Sequence, residues 1–135
     1  MHSHTRISVS VSDFFDGLLF DLDCHRDTKA YIVSIFGKYK TADFDFSQCS
    51  LGIEFVKARE KQNFASYQNI GDWVFFINTL APQHFHRHAS KDYYDNLARL
   101  SFYSCYNIVK WNCYEELADN LIVLEDEVRN RLPQL

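Results

Sequence analysis

From Tyr94 onward, apolar side chains recur at three- and four-residue steps: Tyr94, Leu97, Ala98, Ser101, Cys105 and Ile108. That spacing buries one face of an α-helix and does not suit a strand, whose side chains alternate at every second residue. Ser90 stands where the helix needs a side-chain oxygen to accept from its first free N–H groups. Tyr93, Leu100, Tyr103 and Tyr106 fall on the opposite face. The expectation is therefore a helix with neighbours on two sides, running through the middle of a bundle.

The rest of the chain reads the same way. Asn112 is expected to cap a last helix, with Glu115 reciprocating three residues on. Leu117, Leu121, Leu124 and Val128 form its core stripe. Acidic residues crowd its start, Arg129 and Arg131 lie in its last turn, and Pro133 follows, an order the helix dipole favours. Upstream, helices are expected over Asp27 to Tyr39, with Ala30, Ile32, Val33 and Phe36 inside, and over Ser50 to Gln62, with Leu51, Phe55, Val56 and Ala58 inside. A short helix over Asp13 to Leu22 would bring Phe14, Phe15, Leu18, Leu19 and Leu22 to one face, although Gly17 weakens it by about 1 kcal/mol relative to alanine. In residues 1–11, Ile7, Val9 and Val11 alternate with serines at strand period and predict an extended arm.

Gly71 and Asp72 have two readings. Gly71 can end one helix in a left-handed conformation while Asp72 caps the next, which would point Trp73, Phe76, Ile77 and Leu80 inward. In the other reading the helix is continuous, and a buried Asp72 pairs with Arg59 or Arg99. With no repeat, linker or low-complexity tract, residues 1–135 read as one all-α domain, a bundle of five or six helices. A chain of this length buries ~70% of the surface that it exposes when unfolded, so twelve phenylalanines and eight tyrosines have a core to occupy.

Gly71-Asp72-Trp73-Val74-Phe75-Phe76, then Pro82, then Tyr93-Tyr94, resembles a family of small bacterial helical proteins with a Gly-Asp-x-x-aromatic-Phe segment, a proline and a Tyr-Tyr pair. The likeness runs from Ala30-Tyr31-Ile32-Val33 to Glu116-Leu117-Ala118. Asn78-Thr79-Leu80-Ala81 departs from the Gly-Leu-Phe that such sequences tend to have before the proline. The resemblance implies a single all-helical domain and transfers no catalytic residue.

Composition and motifs narrow the function. The net charge is -4, and its acidic excess gathers at Asp13 to Asp27 and Glu115 to Glu127. The basic residues are interspersed with Glu54 and Glu60 and form no stripe along which phosphates could lie, so no nucleic-acid partner is expected. The longest apolar run, Trp73 to Ile77, is far short of the ~20 residues of a membrane span. No membrane partner is expected. The opening Met1-His2-Ser3-His4-Thr5-Arg6 lacks the apolar run of a secretory signal, and a chain of this size needs no staples, so Cys24, Cys49, Cys105 and Cys113 are read as free thiols of a cytoplasmic protein.

His84, His86 and His88 alternate, so in extended backbone all three could face one metal; the plainer reading is a solvated polar loop. No Glu-x-x-His pair supports a di-iron bundle, and no glycine-rich phosphate loop is present. Cys24-His25 places a thiol beside a base, but adjacent side chains diverge. Asp72, Trp73, Phe76, Tyr93, Tyr94 and Arg99 are the candidate ligand-binding residues, lining a pocket between the Trp73 and Tyr93 helices; the plainer reading is an aromatic core. No cofactor is expected. The function expected is a non-enzymatic interaction or regulatory module, self-associating as a homodimer, with a protein partner as a further class. A small-molecule binder or enzyme at the aromatic pocket is the alternative.

Overall fold

A computed structural model describes residues 11–40, 51–81 and 90–132, and among these the protein is all helical. Seven helices are described: α1 (Val11–Leu18), α2 (Arg26–Lys40), α3 (Leu51–Lys61), α4 (Phe64–Leu80), α5 (Lys91–Val109), α6 (Asn112–Asp119) and α7 (Leu121–Arg131). None is long and apolar enough to cross a membrane. Residues 1–10, with most of the expected arm, lie outside the described residues, as do His84, His86, His88, Cys49, Pro82 and Pro133.

The middle of the bundle is α4, not α5. From Ile70 to Thr79 every residue of α4 except Phe76 is buried, because Asp72 is the only formal charge in that stretch and the helix is apolar nearly all round. Asn63 caps it by accepting from the Ser66 N–H at 3.2 Å. One face of α4 meets α5, which runs back along it: Gly71 lies against Phe102 and Asn78 against Asp95. Another face meets α2, where Tyr39 packs on Trp73 and Phe36 on Phe76.

The helix is continuous through Gly71, so the break expected there does not occur, and no described glycine has positive φ. Gly71 serves close approach instead. A Cβ at this position would lie 2.7 Å from Cε1 of Phe102, well inside the ~3.5 Å of ordinary carbon contact. Phe102 itself is fully buried.

Helix α5 forms as its spacing predicts, with Ser90 accepting from the Tyr93 N–H at 3.2 Å. It buries one face only. Tyr94, Leu97, Ala98, Ser101 and Cys105 are inside, while Asp92, Asn96, Arg99 and Asn107 keep the other side wet, so Tyr93 and Leu100 are exposed rather than covered by a second neighbour. Ile108 is exposed as well, in the last turn, which Lys110 closes in left-handed conformation by donating its N–H to the Tyr106 carbonyl at 2.7 Å.

The last helix expected from Asn112 divides at Asn120 into α6 and α7. The cap position is Trp111, with no side-chain cap bond; Asn112 already lies inside the helix. The core stripe is as expected, with Leu117, Leu121, Leu124 and Val128 all buried. Smaller corrections follow from helix phase. Leu51, Phe55 and Ala58 share the inward face of α3, which turns Val56 outward; Ala30 and Leu80 are exposed too. In the first helix, α1 ends at Leu18 and the chain turns through residues 19–22 to bury Leu19 and Leu22.

Candidate functional site

Asp72 is buried and its partners are on α2, not Arg59 or Arg99. Tyr31 donates its hydroxyl to Asp72 Oδ1 at 2.6 Å, and Lys38 Nζ lies 3.2 Å from Oδ2 while also donating to Asn69 Oδ1 at 2.6 Å. Burial lifts the Asp72 carboxyl from 3.8 to about 6, against the opposing pull of the Lys38 charge and the Tyr31 hydroxyl. Burial and the Asp72 charge push the Tyr31 phenol strongly upward, so it remains a donor. Lysine reaches this site where arginine was expected because α2, two residues short of its end at Lys38, lies directly over Asn69 and Asp72.

The remaining candidate ligand residues divide between two faces. Trp73 and Phe76 stack at 6.0 Å and both turn to Tyr39 of α2. Tyr94 is buried, and Tyr93, itself 43% exposed, meets it edge to face at 5.1 Å. Arg99 is half-buried on the outer side of α5. Asp72 and Trp73 thus point to α2, and Tyr93 and Arg99 to the outside of α5. Among the described residues a further ring cluster gathers around Tyr114, which packs against Tyr31 (5.2 Å), Trp111 (5.6 Å), Phe64 (5.8 Å) and Phe102 (6.2 Å), with Gln68 donating to its hydroxyl at 2.9 Å.

A second polar cluster joins α4, α5 and α7. The Asn78 amide donates to Asp95 Oδ1 at 2.8 Å and to Glu125 Oε2 at 3.0 Å. Lys91 Nζ is 2.6 Å from Asp95 Oδ2 and 3.6 Å from Glu125 Oε1. Arg129 Nη2 donates at 2.8 Å to the Asn78 carbonyl, one of the acceptors that the last turn of a helix leaves without an intrahelical partner. Burial, then the Asp95 charge, raises the Glu125 carboxyl from 4.5 to about 8. Burial opposes the charge on Lys91, yet its hydrogen bond to Asp95 and the two carboxylates raise its pKa overall. This cluster fixes the phase of α5, and with it the face that α5 turns to solvent.

That outer face is the candidate functional site. Tyr93, Asn96, Leu100, Tyr103 and Asn107 follow one another at alternating steps of three and four residues, the spacing of a two-helix seam. Leu100 is 51% exposed. Tyr103 is half-buried, with its hydroxyl donated to Asp119 at the end of α6. On α7, Ile122 and Val123 are exposed as well.

Cys24 is half-buried, and burial raises its thiol to about 11. The next residue, His25, accepts on Nδ1 from the Asp27 N–H at 3.1 Å and does not serve the thiol as a base. Cys105 and Cys113 are buried and free, both raised to about 12 mainly by burial. No cluster of three or more His, Cys, Asp or Glu that could hold a metal occurs among the described residues.

Comparison with models of protein families, with characterised proteins and with solved structures gave no match.

Sequence reasoning missed Lys38, Tyr31, Asp95 and Glu125. A signal for the last two was present. Glu125 stands four residues after Leu121 and three before Val128, which sets it in the core stripe; Asp95 holds the equivalent place three residues before Ala98. A carboxylate at a stripe position must find partners inside.

Proposed function

We propose that this protein is a cytoplasmic, non-enzymatic interaction module that pairs with a second copy of itself through the outer face of α5. Leu100 carries the reading: a large aliphatic side chain half exposed at the centre of a seam of tyrosines and asparagines. Tyrosine suits an interface core because its ring is rigid and its tip remains hydrogen-bonded. The free thiols Cys24, Cys105 and Cys113 fit the reducing compartment.

An antiparallel two-fold fits the seam. It sets Leu100 against Tyr103 of the second copy and Asn96 against Asn107, each contact occurring twice as an isologous interface requires. Parallel pairing would instead bring Asp92 to Asp92 and Arg99 to Arg99, like charges in register along the whole contact. One helix face falls short of the ~800 Å² per partner of a standard interface, so the pairing is a weak, concentration-dependent one.

Sedimentation equilibrium of the wild type and of Leu100→Glu tests the pairing. The expected result is a concentration-dependent dimer that the substitution converts to a monomer with unchanged helical content, since an exposed position contributes within about 0.5 kcal/mol to the fold of one chain. A monomeric wild type, or a dimer indifferent to Leu100→Glu, overturns the proposal.

A further inference from the structure

Helix α7 packs on α4, α5 and α6 through Leu121, Leu124 and Val128, and between the last two stands Glu125, as fully buried as they are. A neutral side chain of this size can rest there, but a charged one needs a cation of its own. Two carboxyls face one ammonium. Lys91 Nζ lies 2.6 Å from Asp95 Oδ2 and 3.6 Å from Glu125 Oε1, so Asp95 takes the ion pair. Arg129, one turn along α7, is turned to the Asn78 carbonyl and to Asp126. From α4 the group that faces Glu125 is the Asn78 amide, because Asp72, the only formal charge on that helix, is bonded to α2. On α6, Glu116 is turned to His25 and Asp119 to Tyr103. Among the described residues, Glu125 has no cation that Asp95 does not hold more closely.

The hydrogen bonds show the same shortfall. Asn78 Nδ2 donates to Asp95 Oδ1 and Glu125 Oε2, whereas Asn78 Oδ1 and Glu125 Oε1 are buried without a hydrogen bond. Two acceptors are left over and no donor, a state that is costly inside a protein. A proton on Glu125 answers both shortfalls. It turns the carboxyl into a donor, with Asn78 Oδ1 and Asp95 as the acceptors beside it, and it leaves one negative charge against Lys91. Burial and the Asp95 charge favour that protonated form, raising the group to about 8.

Helix α7 is built to respond as a unit. It is set off from α6 at Asn120, whose side chain makes no cap bond, so the first N–H groups of α7 gain nothing from the junction. Its other polar ties, Arg129 to the Asn78 carbonyl and Arg131 to Asp21 at 2.9 Å, lie at the partly exposed end of the helix.

We propose that Glu125 is a proton-operated latch: with its proton it closes α7 onto Asn78 and Asp95, and with the proton lost to solvent it lets α7 swing out about Asn120. Ionised, it sets a second buried negative charge beside Asp95, and outward movement of α7 returns that charge to water. The latch does not depend on pairing through α5, since Glu125, Asn78 and Lys91 are not members of the seam.

Hydrogen exchange followed by mass spectrometry tests this on the whole chain, over a series of pH values and corrected for the intrinsic exchange rate, in the wild type and in Glu125→Gln. Residues 121–131 are expected to exchange through an opening of their own, less protected than α4 and α5. That opening should rise about ten-fold from pH ~6 to pH ~7, because the closed state holds one proton that the open state releases. In Glu125→Gln, whose amide is a donor at every pH, the rise should disappear. Protection of α7 no lower than that of α4 and α5 overturns the proposal, as does an opening that is indifferent to pH; both are read in the wild type alone. The same rise in Glu125→Gln would assign the proton to another group and overturns it as well.

Discussion

Replacing Gly71 with alanine sets two effects of known size against each other. In the interior of a helix, Gly→Ala stabilises by about 1 kcal/mol by restricting the unfolded chain. Here the new methyl would meet Cε1, Cζ and Cδ1 of Phe102 at 2.7, 2.8 and 2.9 Å, so the ring or the helix must retreat by roughly 0.8 Å to reach ordinary contact. The ring is poorly placed to yield, being fully buried and stacked on Tyr114. Spreading α4 from α5 would strain the 2.8 Å bond between Asn78 and Asp95 on the same pair of helices. Overpacking of this kind costs about 1–3 kcal/mol, and with so little freedom the upper half of that range applies. Gly71→Ala is therefore expected to destabilise by about 1–2 kcal/mol net, or roughly 3–5 °C in Tm for each kcal/mol in a chain of this size. Urea unfolding followed by circular dichroism measures it, and a double-mutant cycle isolates its cause. In a Phe102→Leu background the same Gly71→Ala change should be neutral or stabilising, because the ring atoms it strikes are gone. A stabilising Gly71→Ala in the wild type, or an equal loss in both backgrounds, would refute the close-approach argument.

Two further outcomes follow from the buried carboxyls. Glu125 is raised from 4.5 to about 8, so the native state keeps a proton that the unfolded chain releases. Its contribution to stability is therefore full below about 4.5 and declines as pH rises to about 8. Glu125→Gln, which keeps the shape of the protonated acid, should flatten that decline; urea midpoints at the two ends of the window check it, and an unchanged slope counts against the assignment. Lys38→Met removes the only cation placed on Asp72 in the described structure. Discounted for the partial exposure of Lys38, the loss is about 1–2 kcal/mol at neutral pH. It should shrink below pH ~6, where Asp72 is protonated; a loss that does not change with pH would show that the lysine acts through its packed stem alone.

How far the sequence spoke depended on whether a position answered to its own helix or to a neighbour. The all-α class, the Ser90 cap and the stripe from Leu117 to Val128 were legible because period and capping are local. Gly71 was not: its reason is a ring on another helix, thirty-one positions away, which no local signal marks. Asp72 was legible as a buried acid in a continuous helix only as the second of two readings, and its partner was not, since several cations lie within plausible reach and only the packing of α2 on α4 selects Lys38. The central place went to α4 because apolar residues surround it, a property visible in Ile70 to Thr79 but outweighed in the reading by the tyrosines of α5. Those tyrosines were expected to meet a second neighbour. For Tyr93, with its neighbour Leu100, the single chain does not supply one.

Native mass spectrometry of the untagged protein, over a range of concentrations, puts the central claim to its most direct test. Pairing through α5 predicts a species of twice 15.9 kDa that grows with concentration and is lost in Leu100→Glu. A single-chain species at every concentration would contradict it.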